Sequence, residues 1–515
     1  CAVESLRRSS LVPYLRDYNT KTGIPKGVNM PKTFCVNTSC ARGSQPIVSL
    51  VTRARGWKEE PIGNGRGNVQ WVVTEDDLEQ TLAMIQKRKK KQLEKRVARI
   101  PGMHKLCHKV AFARLMNTMK AADPDNFAFW PKTWIVGGTN AMGPGGASDG
   151  GPGLPPPSVF KKGPLIYKPD EGGQGDGIYL ILSKTDLERR LQYCNNHTAV
   201  LQRYLPNPLL INGEFKFDLR MYVLVLSLEP LRVFICREGL VRVCVDPYQA
   251  PTNKNIHKVT SHLTNYSLNK LASNFEHEDD PSCGSAGTKR CMDATFRYLH
   301  EEGLIDREQV WADIRACVAQ TTSAMQPCLM EDKERKPWSK EQYKGRHDQP
   351  PVFGEIWGYD RVLPEDPNCC FNILGFDIML DSKGKPTLLE VNVNPSLVVD
   401  TVYPVTGPQG AYVPPPSELP PEGAPLHTLA HACFEQLGSK TGKKVPCKCM
   451  SHHRPHVHRP CLCDLQAKSQ AVLGALEIIQ RDVRGNFTGR ELAARTAYEP
   501  LYEEVQEQEE KDQQV

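Results

Sequence analysis

Residues 371–395 read FNILGFDIMLDSKGKPTLLEVNVNP, two apolar runs separated by the turn-forming DSKGKP. Runs of this length, rich in Ile, Leu, Val and Phe and bounded by Gly and Pro, predict a pair of core strands. Asp377 lies on the first strand, and Glu390 and Asn392 on the second. Strand side chains repeat every two residues, so Glu390 and Asn392 share a face and Val391 points away. Two carboxylates and an amide oxygen facing one cleft are hard donors suited to Mg²⁺ carrying phosphates. The alternative is a surface strand whose acids merely meet solvent. The aliphatic neighbours argue against it, because a buried unpaired charge is costly.

Upstream, LQRYLPNPLLINGEFKFDLRMYVLVL (201–226) ends one strand at Gln202 to Leu205 and then alternates Lys216, Asp218 and Arg220 along another. Period two gathers these three charges on one face of an otherwise apolar strand, the pattern of a ligand site or of an ion-pair network. KPDEGGQGDGIYL (168–180) is a strand end followed by a glycine-rich loop. Its amides could approach phosphate oxygens, with Lys168 supplying charge. It is neither a Walker loop nor a Rossmann fingerprint, and alone it reads equally well as a hairpin loop. HLTNYSLNK (262–270) is dense in hydroxyls and amides; by itself it would pass as a loop with an Asx turn.

The 515 residues are 39% hydrophobic and 24% charged, which suits a soluble globular protein, while 41 prolines and 39 glycines require long loops. No run of eighteen apolar residues occurs and the first twenty residues lack a long apolar core. Neither a membrane span nor a secretory signal is expected, and an intracellular, cytoplasmic location follows as the expectation. Because the chain opens with Cys1, it reads as a fragment from which an upstream targeting segment could be missing. Eighteen scattered cysteines fit reduced thiols. The net charge of +6 is modest, but Lys87, Arg88, Lys89, Lys90, Lys91, Lys95, Arg96 and Arg99 crowd a segment whose pattern is helical from 75 to 98. Such a face would attract an acidic protein tail, a microtubule surface or nucleic acid, or it is simply a solvated helix face. Nucleic acid is disfavoured, since no aromatic-rich module accompanies the charge.

The expected organisation is an N-terminal extension, 1–46, partly disordered; an N-terminal lobe, 47–120; and a central lobe, 121–215, interrupted by the Gly/Pro insertion 137–157. A C-terminal lobe, 216–434, carries a polar insertion at 331–368. A Cys/His/Lys-rich segment, one helix near Ala471 to Gln480 and an acidic tail fill 435–515. Short strands are expected within Ile47 to Val73, around Trp57 and Trp71, and helices at Lys109 to Met119 and Trp311 to Met325. Between Cys447 and Cys463, two C-x-C pairs flank His452, His453, His456 and His458, a density that could bind zinc. The spacing is not that of a zinc finger, and a basic flexible tail is the competing reading.

In order, KPDEGGQGDGIYL, LQRYL, KFDLRMYVLV, GLVRV, HLTNYSLNK and LGFDIML with LLEVNVNPS resemble the tubulin tyrosine ligase-like family over about residues 55–430. The upstream IPGMHKLCHKVAFARLM resembles that family's PGM and helix segment. Its polyglutamylase branch, and within it the eleventh member of the numbered series, is most similar. The resemblance implies an α/β (α+β) fold of the ATP-grasp type, a ligase with N-terminal, central and C-terminal lobes and mixed and antiparallel sheets flanked by helices. It implies that Lys109, Lys168, Gln174, Gly175, Asp176, Gly177, Ile178, Tyr179, Gln202, Arg203, Tyr204, Leu205, Lys216 and Asp218 hold ATP. Asp377, Glu390 and Asn392 would hold Mg²⁺, with Mn²⁺ as a substitute.

Arg220, Arg242, Thr264, Asn265, Tyr266, Ser267, Lys289 and Gln174 would line the place where the incoming amino acid and an acyl-phosphate meet, with Arg220, Arg242, Lys289 and Glu390 catalytic. The implied activity is ATP-dependent tubulin polyglutamylation, joining free L-glutamate to the acidic C-terminal tails of tubulin. Glutamine at 174 implies chain elongation, since chain-initiating relatives carry arginine there. A monomer associated with the cytoskeleton, microtubules, and the cilium, basal body or centrosome is the further implication. Glycine or tyrosine addition, glutamylation of another acidic protein, and an inactive nucleotide- or microtubule-binding scaffold are the competing functions.

Overall fold

The computed structural model describes residues 34–86, 95–137, 155–173, 175–194, 197–270, most of 272–330, 367–399, 461–483 and 487–502, with short strand pieces between 402 and 458. Most of the extension 1–46, the insertions 137–157 and 331–368, and the tail after 502 lie outside the described residues.

The N-terminal part alternates strand and helix: β1 (Cys35–Cys40), α1 (Gln45–Ala54), β2 (Lys58–Glu60), β3 (Val69–Val72), α2 (Glu75–Gln86) and β4 (Arg96–Ala98). The short strands expected around Trp57 and Trp71 are β2 and β3, and the apolar run at Ile47 ahead of them is the buried stripe of a helix with proline in its first turn. A short apolar run does not by itself distinguish the two, and Gln45-Pro46 suits a helix start. Of the helical pattern expected from 75 to 98, Glu75–Gln86 is helix α2, residues 87–94 lie outside the described residues, and Arg96–Ala98 is strand β4. Arg96 and Arg99 are buried there, not on a basic helix face; Arg96 pairs with Asp482 at 2.7 Å and Arg99 with Glu75 at 3.1 Å. Partners from other elements make that burial tolerable, which local charge counting could not anticipate. Lys87 to Lys91 lie outside the described residues.

Next come α3 (Met103–Leu106), α4 (Lys109–Ala122) and a separate antiparallel sheet, ordered β5 (Thr133–Val136), β8 (Ala199–Arg203), β6 (Leu165–Pro169), β7 (Tyr179–Ile181). Helix α5 (Lys184–Tyr193), capped by the Ser183 side chain, buries Leu187 and Leu191 against this sheet. The chain continues through β9 (Leu210–Ile211), β10 (Phe215–Leu228), β11 (Leu231–Val243), α6 (Val259–His262), α7 (Tyr266–Asn269), β12 (Lys289–Cys291), α8 (Met292–Glu301), α9 (Arg307–Leu329), β13 (Cys370–Leu380) and β14 (Pro386–Asn392). The apolar runs 232–236 and 240–243 belong to one continuous strand, β11.

One mixed sheet, β12-β11-β10-β13-β4-β3-β1-β2, runs through both ends of the chain. Its N-terminal half is parallel, β13 pairs parallel with β4, and β10 to β14 are antiparallel. Phe217, Leu219, Met221, Val223 and Val225 of β10 pack with α4, α8 and α9 on one face. Tyr222, Leu224 and Leu226 face the opposite layer, made by α1 and the long α10 (Leu462–Asp482). Sixteen of the residues of α10 are buried. A helix buried along most of its length belongs to a core, and its buried Asp464, Lys468 and Glu477 are paired there with opposite charges. At about 2 kcal/mol for each large aliphatic side chain buried, α10 is a structural layer and not an appendage. The helix expected at 471–480 is its second half. After α11 (Gly489–Ala493), closed by a Thr488/Glu491 capping box, strand Tyr498–Pro500 joins the edge of β11.

Candidate active site

The site is assembled where the large sheet meets the small one. Register places Asp218 opposite Arg242, Arg242 opposite Lys289, Arg220 opposite Asp377, and Asp377 opposite Glu390. A row of charged residues therefore crosses five strands on one face, cationic at the β12 end and anionic at the β14 end, the face that α10 covers farther along. Arg220 holds Asp377 by two bonds, Nε to Oδ1 at 2.5 Å and Nη2 to Oδ2 at 2.9 Å. Arg242 grips Asp218 in the same forked manner at 2.8 and 2.5 Å, and its Nη2 also lies 2.9 Å from Asp377. Burial alone would push the Asp377 carboxyl up, but Arg220 and then Arg242 outweigh it and hold it well below the usual carboxylate range. Burial would likewise lower both arginines; Asp377 for Arg220, and Asp218 then Asp377 for Arg242, reverse the effect. Gly375 makes room for this: a Cβ there would meet Pro395 at 2.8 Å and the Arg220 side chain at 3.2 Å.

The two strand lysines differ. Lys216 donates to the Tyr204 hydroxyl at 2.7 Å and the His262 carbonyl at 2.9 Å. Lys168 donates to Gln202 Oε1 at 2.9 Å and the Leu389 carbonyl at 3.1 Å. Neither has a carboxylate within ion-pair distance among the described residues. Burial pushes Lys216 down to about 8, with Cys244 and Asp218 pulling the other way. Lys168 is lowered mainly by burial, which Glu390 only partly offsets. The Leu389 carbonyl is available because the β13–β14 register slips by one residue between Asp377 and Ile378, a bulge that leaves Leu389 out of the ladder.

Glu390 and Asn392 share a face as their spacing predicts. The Asn392 amide is placed 3.2 Å from Glu390 Oε1 and 3.5 Å from Asp377 Oδ2. Glu390 has no cation within ion-pair distance among the described residues. It borders two adjoining clefts, which it shares with Lys168 and Gln202. The smaller is lined by Ile178, Arg203, Tyr204, Leu205, Lys216, Asp218, Arg242, Thr264, Asn265 and Asp377. The larger, about 370 Å³, is lined by His104, Lys109, Phe112, Trp130, Asp170, Gly172 and Asn392. Lys109 reaches the Gly172 carbonyl at 3.0 Å.

Two carboxylates and one amide, converging beside two lysines, are a donor set that fits a hard divalent ion. Among the described residues no three His, Cys, Asp or Glu side chains form a metal cluster, and the third group beside Asp377 and Glu390 is the Asn392 amide. An amide's oxygen and nitrogen are assigned from partners, and a half-turn of Asn392 would offer its oxygen.

The Arg203 guanidinium is tied to the Gly163 and Val159 carbonyls. Tyr179 is exposed, its ring under the Arg190 guanidinium. Asp176 is exposed, and Gln174 lies outside the described residues. Gly175, at φ +89, packs so closely on Asn265 and Leu268 that a Cβ would fall 3.0–3.1 Å from them; this joins the glycine loop to the HLTNYSLNK turn. Lys289 borders neither cleft. It lies 3.7 Å from the centroid of the Tyr266 ring and pairs at 2.8 Å with Asp464 of α10, a residue the sequence reading did not single out. An Asp-x-x-x-Lys pair inside an otherwise apolar helix was the available signal. Of the Cys447–Cys463 segment, Cys461 and Cys463 are core residues at the start of α10, with thiols raised in pKa. The side chains of the other expected zinc ligands lie outside the description.

A family model described as the tubulin-tyrosine ligase family matches residues 86–406. Tubulin polyglutamylase ttll-11 of Caenorhabditis elegans is 31% identical over 382 residues, 73% of this chain and 48% of the relative. Human tubulin polyglutamylase TTLL11 is 34% identical over 374 residues, 71% of this chain and 45% of the relative. Tubulin polyglutamylase ttll6 of Danio rerio is 34% identical over 333 residues, 64% and 36%. The chain spans about half the length, or less, of these curated relatives. No described helix is long and apolar enough to cross a membrane.

Proposed function

The chain belongs to the tubulin-tyrosine ligase family, and from that premise we propose that it is an ATP-dependent ligase joining glutamate to the acidic C-terminal tails of tubulin. The observation that carries the reading is Glu390, a carboxylate with no cation within ion-pair distance among the described residues, at the junction of two clefts that it shares with Lys168, beside the arginine-held Asp377. Lys168, Lys216, Gln202 and the backbone around Tyr204 and Leu205 would hold ATP in the smaller cleft. Asp377, Glu390 and Asn392 would hold magnesium, which when bound supplies charge neutralisation on the β- and γ-phosphates.

The acceptor carboxylate attacks the γ-phosphorus and ADP leaves, giving an acyl-phosphate; the amine of the incoming glutamate then displaces phosphate and forms the amide. In the first step negative charge spreads over the transferring group. Lys168 and Lys216, which no carboxylate among the described residues pairs, would stabilise it. Arg220 and Arg242, fixed by Asp218 and Asp377, present immobile N–H groups beside the same cleft. The support for glutamate is the printed names of the relatives. Gln174 favours chain elongation over initiation, and action at the cytoskeleton, including ciliary microtubules, goes with the proposed substrate.

The test is incubation of purified protein with microtubules, ATP-Mg²⁺ and labelled glutamate, glycine or tyrosine. Glutamate incorporation that requires ATP supports the reading. Glycine or tyrosine alone replaces the amino acid, and microtubule binding without any incorporation leaves a scaffold.

A further inference from the structure

The stretch PGMHKLCHK (101–109) sets two histidines four residues apart, and the function proposed above uses only its Lys109. Gly102, at φ 80, turns the chain into the single-turn helix α3, and His108 is then extended, at φ −60 and ψ 141, ahead of α4. These turns bring the two rings together at 79° to one another, with Nε2 of His104 3.4 Å from Nε2 of His108. That separation is long for a hydrogen bond between ring nitrogens. It matches the spacing, roughly 3.3–3.4 Å, of two nitrogens that each lie about 2.0–2.1 Å from one tetrahedral ion. Both histidines border the larger cleft, whose other walls carry Asp170, Glu171 and Glu390 against Lys109 and Lys168. Burial, and then His108, lowers the His104 pKa and keeps that ring neutral, the form that binds metal. Cys107 also borders the cleft, but burial pushes its thiol up to about 12 and so keeps it protonated.

We propose that His104 and His108 are a two-histidine site for a transition-metal ion of the zinc class, held through their Nε2 atoms at the rim of the larger cleft. Coordination in this way leaves the proton of each ring on Nδ1. No cluster of three His, Cys, Asp or Glu side chains occurs among the described residues, so water from the cleft completes the shell. Imidazole selects zinc, copper or nickel, whereas magnesium takes oxygen ligands. The site is thus chemically distinct from the Asp377, Glu390 and Asn392 set. A dication at the rim adds positive charge to the cleft that Glu390 shares, so its occupancy sets how strongly that cleft draws an anion. The site does not depend on the ligase reading.

The experiment follows carbethoxylation of histidines by diethyl pyrocarbonate in the full chain, with Zn²⁺ in excess over the cysteines or with Mg²⁺, and reads each position by mass spectrometry. Trypsin cuts after Arg99, Lys105 and Lys109, so the two histidines fall in separate peptides. Zn²⁺ is expected to slow modification of both by about tenfold or more, while Mg²⁺ leaves the rates unchanged. In His104→Gln the Zn²⁺ protection of His108 falls below about twofold, and His108→Gln does the same to His104, because the ion needs both rings. Equal rates in Zn²⁺ and Mg²⁺ for the wild type, or full protection of His108 in His104→Gln, make the pair an ordinary ring contact and overturn the proposal. The wild-type comparison requires no substitution and does not read glutamate incorporation, so a failure of the ligase reading leaves its outcome untouched.

Discussion

The lysine end and the arginine end of the site solve the problem of buried charge in opposite ways. Arg220 and Arg242 are each gripped by carboxylates in forked geometry. Lys168 and Lys216, equally buried, are held by an amide oxygen, a phenol and two backbone carbonyls. Neutral acceptors satisfy the N–H groups without cancelling the charge, so the lysines keep an electrostatic pull on an anion that the arginines have already spent on Asp218 and Asp377. The arginines are consequently rigid and stabilising in place, whereas the lysines are a standing cost that a bound polyphosphate relieves.

The strongest way to break this contrast lies where its two halves meet. Glu390→Gln should lower glutamate incorporation by about a hundredfold or more while Tm and microtubule co-sedimentation hold, because a donor of charge to the ion is lost and no ion pair is broken. Normal turnover in that variant ends the metal assignment. Lys216→Met should reduce kcat/KM for ATP by about a hundredfold with Tm unchanged or raised, since the variant removes a buried uncompensated cation. Arg242→Met should do the reverse in stability, costing about 3–5 kcal/mol by leaving Asp218 without its partner and Asp377 with one fewer. Denaturant unfolding separates the two; equal destabilisation by both would erase the distinction.

The pH dependence sharpens it further. Lys216 is pushed from 10.5 to about 8 by burial, so between these values the unfolded chain binds the extra proton and the folded chain does not. This group's contribution to apo stability therefore rises with pH from about 8 to 10.5, while its attraction for ATP fades over the same range. KM for ATP should climb as pH passes 8, and Lys216→Met should lack that inflection. The smallest effect belongs to the basic run outside both ends. Reversing three charges among Lys87 to Lys91 should raise the apparent KM for microtubules a few-fold at low ionic strength and have little effect in high salt.

Where a feature depended on local spacing, the sequence carried it. Period two alone put Glu390 with Asn392, and Lys216 with Asp218 and Arg220, on single faces, and their neighbours' aliphatic character required partners. The identity of those partners was not local. Arg96 reads as surface charge until Asp482, 386 residues away, comes beside it. Asp464 reaches Lys289 across 175 residues. The bulge that frees the Leu389 carbonyl follows from pairing between strands, which one strand's composition does not encode. Of the two readings of Lys216, Asp218 and Arg220, the structure shows the ion-pair network, which Asp218 and Arg220 form with Arg242 and Asp377, while Lys216 and Asp218 line the smaller cleft.

Helix α10 has a consequence for the order in which the protein is made. Tyr222, Leu224, Leu226, Phe234 and Phe371, each at 1% exposure or less, lie in the layer that this helix completes. During synthesis these side chains emerge first and wait, uncovered, until residues up to about Asp482 have left the ribosome. The nascent chain therefore carries an open apolar sheet while the residues between β10 and α10 are added, and the strands that bear Arg220, Arg242 and Asp377 are closed over only when α10 arrives.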